Sequence, residues 1–161
     1  MHRLRPLSEV KSKAQSSMEL LITLAFGLII LLPIVVLAFV QISNSTATLS
    51  TTEAQAAASK LASAATSVGT QGPPAKQLVL IQVPQNVNSI FVGTLSNAPG
   101  HEIIFVVSTN AGPSYVTAYT PLNVSGNLSR VTAPGVYLVN VSAQGSCPSM
   151  PTLPCAYIRP S

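Results

Sequence analysis

Residues 20–40 read LLITLAFGLIILLPIVVLAFV, a run of 21 residues without a charged side chain. At a rise of about 1.5 Å per residue, a helix of this length measures roughly 31 Å, which is the thickness of the hydrocarbon core of a bilayer. The apolar core of an ordinary secretory signal is shorter. The run therefore predicts a membrane-spanning helix.

The segment before this run is first basic, then small and polar, and ends with one acid. Residues 11–19 read KSKAQSSME. In an ordinary secretory signal the small residue at the cleavage site follows the apolar core, so that the core is removed. Here the small residue, Ala14, precedes the core. Cleavage between Ala14 and Gln15 would remove the charged leader and keep the apolar helix as the mature N-terminus.

This order of parts resembles the class III signal peptides of archaeal type IV pilin-like proteins. Their prepilin peptidase cuts on the cytoplasmic side, before the Gln of a Q-x-S-x-E-x-x-x-L pattern. Three residues match the pattern in register: Gln15, Ser17 and Glu19. Ala14 suits the position before the cut, whereas the leucine of the family falls on Thr23, with Leu24 beside it. The resemblance covers residues 11–40 by motif, and only the general architecture beyond.

The resemblance implies three partners: a prepilin peptidase, the membrane with its pilus assembly machinery, and further copies of the chain. It also implies that Glu19 pairs with the amino terminus of a neighbouring subunit. The alternative is that Glu19 marks the membrane boundary, where a helix N-terminus favours an acid. If Gln15 cyclises after cleavage, its charge is lost, and Glu19 then needs amide donors or stays protonated.

The distribution of charge predicts the orientation of the chain in a membrane. The net charge is +4, and residues 1–14 carry four basic side chains against one acid: Arg3, Arg5, Lys11 and Lys13 against Glu9. The remaining residues carry four basic and three acidic side chains, a net charge of +1. Basic flanks stay in the cytoplasm, so the body of the protein is expected outside the cell. No basic stripe with interleaved aromatic residues indicates a nucleic-acid site.

Two residues of the apolar run, Gly27 and Pro33, are potential helix breakers. Proline removes a backbone donor and clashes with the preceding turn, so a kink or local opening is expected near residues 29–33. The alternative is that both residues are simply tolerated, since glycine and proline are more frequent in membrane helices.

The helix is predicted to continue beyond the apolar run to residue 70. Residues 41–70 are rich in Ala, Ser and Thr, with a weak segment at 43–48 where the helix could break. Gly69 and the Gly72-Pro73-Pro74 sequence end it. One small, weakly apolar face is suited to close packing: Leu49, Glu53, Ala57, Leu61, Ala64, Ala65 and Val68.

From residue 76 onward the apolar pattern has a period of two. Short β-branched or aromatic segments alternate with Pro, Gly and Asn clusters, Pro121 among them, and predict strands at 77–83, 89–92, 102–108, 115–119, 128–131, 136–141 and 156–158. The expected fold is α+β. It comprises a leader at 1–14, a long helix at 15–70 and a head at 71–161 that is a small antiparallel β-sheet or β-sandwich.

The two cysteines, Cys147 and Cys155, enclose the seven residues PSMPTLP. A chain exported to an oxidising compartment favours a disulfide between them. The alternative is two free thiols in a reducing compartment. Two ligands without a nearby His or Asp cannot complete a tetrahedral metal shell, so neither a metal site nor a cofactor is predicted.

Four Asn-x-Ser/Thr sequons are N-glycosylation acceptors if the host has the machinery: Asn44, Asn123, Asn127 and Asn140. They agree with an exported body, although some would arise by chance in a chain this rich in Asn and Ser.

No constellation of residues predicts catalysis. Asp is absent from the chain, and the head holds one acid, Glu102, beside one histidine, His101. No third group orients this pair, which is expected to be solvated surface. The four tyrosines could form an adhesive patch, but strand residues packed on one side of the sheet are the preferred interpretation: Tyr115, Tyr119, Tyr137 and Tyr157.

Two functions fit these observations. In the first, the chain is a pilin whose apolar helices form the core of an extracellular filament and whose β heads cover it. In the second, it is a single-span protein whose β head binds at the cell surface without polymerising. The match at Gln15, Ser17 and Glu19 favours the first, because a simple anchor needs neither a peptidase site nor an acid at the helix mouth.

Overall fold

A computed structural model of the chain describes residues 7–148 and 150–161, with side chains described at 17–148 and 150–161. It contains one long helix followed by six strands, an α+β fold as predicted. Residues 1–6 of the predicted leader lie outside the described part of the chain. The chain divides into two compact units, Met1–Ser43 and Asn44–Ser161.

Helix α1 is a single α-helix of 65 residues, Leu7–Gln71. The predicted start at Gln15 was too late, because residues 7–14 contain no glycine or proline that would end a helix. The helix stops where predicted. Gly72 has a positive φ of 70° and its amide donates to the Gly69 carbonyl oxygen, an arrangement of the kind that ends helices at a glycine.

No break occurs in the Ser- and Thr-rich segment at 43–48, where one was expected. The hydroxyls are accommodated within the helix, since Thr48 Oγ1 donates to the Asn44 carbonyl oxygen at 3.1 Å and Thr52 Oγ1 to that of Thr48 at 2.9 Å. These bonds satisfy the polar side chains without taking the backbone out of the helix. Low helix propensity alone therefore does not interrupt α1 here.

The six strands form one sheet in the order β1-β5-β6-β4-β3-β2. Their bounds are β1 Lys76–Val83, β2 Val87–Gly93, β3 Gly100–Thr109, β4 Gly112–Gly126, β5 Gly135–Gln144 and β6 Cys155–Pro160. Neighbouring strands are antiparallel except β4 and β6, which run parallel. The sheet is open, with β1 and β2 at its edges.

The strand predicted at 128–131 does not form. Leu128 and Val131 are buried, but the segment is a turn in which the Val131 amide donates to the Leu128 carbonyl oxygen at 2.9 Å. The side chain of Asn127 accepts a bond from the Ser129 amide at 3.0 Å. Asparagine side chains compete with strand ladders in this way, which accounts for the error.

Pro121 was expected to separate two strands, yet it lies within β4. The pairing of β4 with β3 is irregular at this point, between the pairs Glu102–Tyr119 and Gly100–Val124. Because the ladder is interrupted there, Pro121 removes no donor that the sheet requires. The irregularity is held by Thr120, which is buried and whose Oγ1 donates to the Leu122 carbonyl oxygen at 2.8 Å.

The second layer of the head is helical, not a second sheet. Buried residues from the C-terminal part of α1 share one hydrophobic core with the inner face of the sheet, and Phe105 of β3 is its largest fully buried side chain. Most of the buried helix positions are alanines, which allow a helix to lie close to a sheet. The α1 residues of this core are Ala54, Ala57, Ala58, Leu61, Ala62, Ala64, Ala65 and Val68.

The predicted packing face was correct near its C-terminal end and wrong near its N-terminal end. Leu49 is exposed, whereas Ser50 and Ala54 are buried. Each step of four residues rotates about 40° beyond a full turn. Extending the face backward from Leu61 in steps of four therefore drifts off the buried side.

Replacing Leu61 with Ala is expected to lower the free energy of unfolding of the head by about 2–5 kcal/mol, because the change leaves a cavity in the core. Leu49→Ala is the matched control on the exposed side and should change it by no more than about 0.5 kcal/mol. Pulse proteolysis of the detergent-solubilised chain across a urea titration measures both. Equal effects of the two changes would contradict the packing described above.

Candidate functional site

The N-terminal half of α1 presents apolar side chains in every direction. Every large apolar side chain from Met18 to Ile42 is 50–74% exposed. Among the described residues, α1 is the one helix long and apolar enough to cross a membrane, with a window of mean hydropathy 3.0 that is not buried at all. Length and composition therefore fit a membrane span.

Glu19 lies at the N-terminal end of this apolar surface. Its side chain is exposed, and no described side chain pairs with its carboxylate. One turn later, Thr23 Oγ1 donates to the Glu19 carbonyl oxygen at 2.8 Å. That bond satisfies the hydroxyl within the helix, which explains how a threonine can stand where the matched pattern has a leucine.

Gly27 and Pro33 do not open the helix. Residues 29–33 are helical throughout, and Pro33 lies inside α1. A Cβ atom added to Gly27 would meet nothing within 4 Å. Gly27 is therefore not required by any contact within the described chain, and its small size leaves room for a neighbouring helix.

The residues around the predicted cleavage junction are helical. Ala14 and Gln15 belong to α1 by their backbone, and their side chains lie outside the described part of the chain. Ser17 is exposed. A peptidase that binds an extended segment would have to unwind α1 locally at this junction.

The predicted disulfide is confirmed. Cys147 and Cys155 are both buried and joined, with their Cα atoms 5.5 Å apart. The bond closes the loop that follows β5 onto the first residue of β6. The loop is also held by the Cys147 amide, which donates to the Leu153 carbonyl oxygen at 2.9 Å.

Removing the disulfide with Cys147→Ala and Cys155→Ala together is expected to lower the free energy of unfolding by about 2–3 kcal/mol, because a short closed loop is released in the unfolded chain. In the unmutated chain, neither cysteine should react with iodoacetamide when the protein is unfolded without reduction, and both should react after reduction. Quantitative alkylation before reduction would contradict the bond.

The four sequons lie in three kinds of backbone. Asn44 is in the interior of α1, Asn123 and Asn140 are within strands β4 and β5, and Asn127 is in the turn between those strands. Asn127 is exposed, while Asn123 and Asn140 are half-buried. The amide oxygen of Asn140 is buried without a hydrogen-bond partner in the described chain.

Within the described residues, no three His, Cys, Asp or Glu side chains come together as a metal site would require. His101 and Tyr119 stack with ring centroids 5.9 Å apart. The tyrosines do not all lie on one side of the sheet, contrary to prediction. Tyr137 packs against the core, whereas Tyr115 and Tyr119 are exposed on the opposite face.

Sequence reasoning missed one apolar surface of the head, termed here the outer-face group: Leu78, Leu80, Val136 and Leu138. These side chains are 42–61% exposed and lie on the face of the sheet away from the core, with Leu80 directly opposite Leu138 in the β1–β5 ladder. The signal was present in β1, KQLVLIQV, where residues 78–81 are all apolar, so that both faces of the strand carry apolar side chains. Contiguous exposed apolar patches are a feature of many binding surfaces.

The chain matches no protein-family model, no curated protein and no solved structure.

Proposed function

We propose that this protein is a structural subunit of an archaeal type IV pilus-like surface filament, cut by a prepilin peptidase before Gln15 and assembled through its apolar helix. The observation that carries the proposal is the helix surface of residues 20–40, which is apolar on all sides and directly follows the Gln15–Ser17–Glu19 pattern. Before cleavage this surface lies in the membrane, with the N-terminus in the cytoplasm and the head outside.

After cleavage, the apolar helices of many copies pack together and take the place of lipid. Helices that associate in an apolar environment use small residues to approach closely. Gly27 offers such a position, because a Cβ atom added there would meet nothing within 4 Å in the described chain. The heads then cover the outside of the filament.

Glu19 acts as an assembly residue in this proposal. An unpaired carboxylate among apolar side chains costs several kcal/mol. The Gln15 amino group created by cleavage is a cation that can pair with Glu19 of a neighbouring copy, and the pair sets the axial register of the two subunits. Glu19 is exposed at the end of the apolar surface, and no described side chain pairs with its carboxylate, which supports this role.

A second candidate function is a single-span protein whose β head binds a partner at the cell surface without polymerising. The outer-face group favours it, since four apolar side chains on a solvent-facing sheet suit a binding surface. Electron microscopy of surface filaments, with mass spectrometry of their subunits, separates the two functions, because the second requires that no filament contain this chain.

The mature protein is expected to begin at Gln15. Intact mass and N-terminal sequencing should find a species that lacks residues 1–14, because the peptidase cuts before the apolar run. Ala14→Phe should block the cut by placing a bulky residue at the junction, whereas Ala25→Phe, the same change inside the run, should leave it intact. A mature chain that begins beyond residue 40 would identify an ordinary secretory signal and exclude the filament.

Glu19→Gln is expected to leave cleavage and membrane insertion unchanged and to make filaments scarce or absent, because the neutral amide cannot pair with an ammonium group. Glu102→Gln is the matched control. It makes the same change at an exposed head residue and should leave filaments at their normal number. Counting filaments by electron microscopy, with immunoblots for processing, measures both variants. Normal filaments with Glu19→Gln would refute the register role.

A further inference from the structure

We propose that Asn127 is the N-glycosylation site of the folded head, and that the other three sequons are not acceptors once the chain has folded. The glycan donor is a polyprenyl-linked oligosaccharide. That glycosylation occurs in the cell rests on the proposed position of the head outside the membrane. The selection of Asn127 among the four sequons rests on the fold alone.

Transfer of the oligosaccharide to asparagine requires that one enzyme contact two side chains of the sequon at once. The Asn Nδ2 attacks the anomeric carbon of the donor sugar and loses one proton to a base of the enzyme or to water. The bond from that carbon to the lipid phosphate oxygen breaks, so that the lipid phosphate leaves with the electron pair. The hydroxyl two residues later is the second recognition element of the sequon, which is why acceptors lie in surface loops. Both groups must therefore be exposed and on one side of the backbone.

Asn127 and Ser129 meet both requirements. Both side chains are exposed, and Ser129 Oγ donates to Asn127 Oδ1 at 2.6 Å, so the amide and the hydroxyl are adjacent. The Ser129 amide donates to the same oxygen at 3.0 Å. Because both bonds go to Oδ1, the Nδ2 group is left without a partner in the described chain and free to react.

The core holds this turn in place. Leu128 is fully buried and Val131 nearly so, so the residues on either side of Leu128 project outward. Asn127 also borders an open cleft of about 510 Å³, whose other lining residues include Tyr137 and Arg159. The cleft provides room beside Asn127 for the first sugar, and an aromatic ring and a guanidinium are suitable neighbours for it.

The two sequons within strands fail because their hydroxyls are buried. Ser125, the partner of Asn123, and Ser142, the partner of Asn140, are 5% and 9% exposed. Ser125 lies in the ladder between β4 and β6, and Ser142 in the ladders on both sides of β5. An enzyme could reach these hydroxyls only by displacing the parts of the chain that cover them.

The sequon in α1 fails for a different reason. Asn44 and Thr46 are two residues apart in a continuous helix, and residues at that spacing do not face each other. The enzyme would have to unwind α1 to engage the amide and the hydroxyl together. Exposure of Asn44 alone is therefore not sufficient.

The test uses the full chain in detergent micelles, an oligosaccharyltransferase that modifies folded proteins, and a synthetic polyprenyl-linked oligosaccharide as donor. A flexible peptide with one sequon is appended after Ser161, so that its modification establishes that the enzyme and donor are active. Four synthetic peptides spanning the sequons measure how well each sequence is accepted without the fold. Sites are mapped by mass spectrometry.

The appended sequon and Asn127 should be modified in the folded chain, with one glycan on the natural part of the chain, while all four peptides are accepted. Asn127→Gln and Ser129→Ala should remove that glycan, and Asn140→Gln should not. An unmodified Asn127 beside a modified appended sequon would overturn the proposal. So would modification of Asn44, Asn123 or Asn140 in the folded chain to the same extent. Neither result bears on filament assembly, which Glu19→Gln tests separately.

Discussion

The apolar surface of residues 20–40 must be removed from water, and the described chain does not do this itself. Eighteen large apolar side chains between Met18 and Ile42 are at least half exposed. At about 1–2 kcal/mol for each, their hydration would cost on the order of 20–30 kcal/mol, which exceeds the net stability of a typical domain. A lipid bilayer or a bundle of identical helices removes that cost. The Gln15–Ser17–Glu19 pattern favours a protein whose apolar helix lies first in the bilayer and then, after cleavage, in a bundle of identical helices.

One helix provides two different surfaces along its length. Over residues 20–40 it is apolar all round, as a helix surrounded by lipid or by other helices must be. Over residues 54–68 the buried side is narrow and composed mainly of alanine, and the remaining positions are largely polar. The head depends on this second part, because its core is shared between the helix and the sheet. A head expressed without residues 44–71 would expose the inner face of the sheet.

Local sequence signals predicted most of the helix and strand segments, whereas the strand order of the sheet depends on non-local pairing. The long helix followed from a charge-free run of sufficient length, and the separation of β3 from β4 followed from the cluster of Asn, Gly and Pro residues between them. Residues 128–131 were wrongly predicted as a strand, because buried apolar residues such as Leu128 and Val131 occur in strands and in turns alike. The hydrogen bond from the Ser129 amide to the Asn127 side chain stabilises the turn. The strand order could not be predicted, since it depends on contacts between distant segments. Glu19 could be located from its motif, but the partner proposed for it belongs to another copy of the chain, which a single chain does not contain.

The position of β6 imposes an order on how the head can be completed. β5 and β4 are not paired with each other, and β6, Cys155–Pro160, lies between them and bonds to both. Until those residues have emerged from the ribosome, and from any translocation channel, β1 and β5 remain separate from β4, β3 and β2. The incomplete head is then two unjoined strand groups with open edges. Chaperone protection, or rapid delivery of the β6 residues, would matter most during that interval.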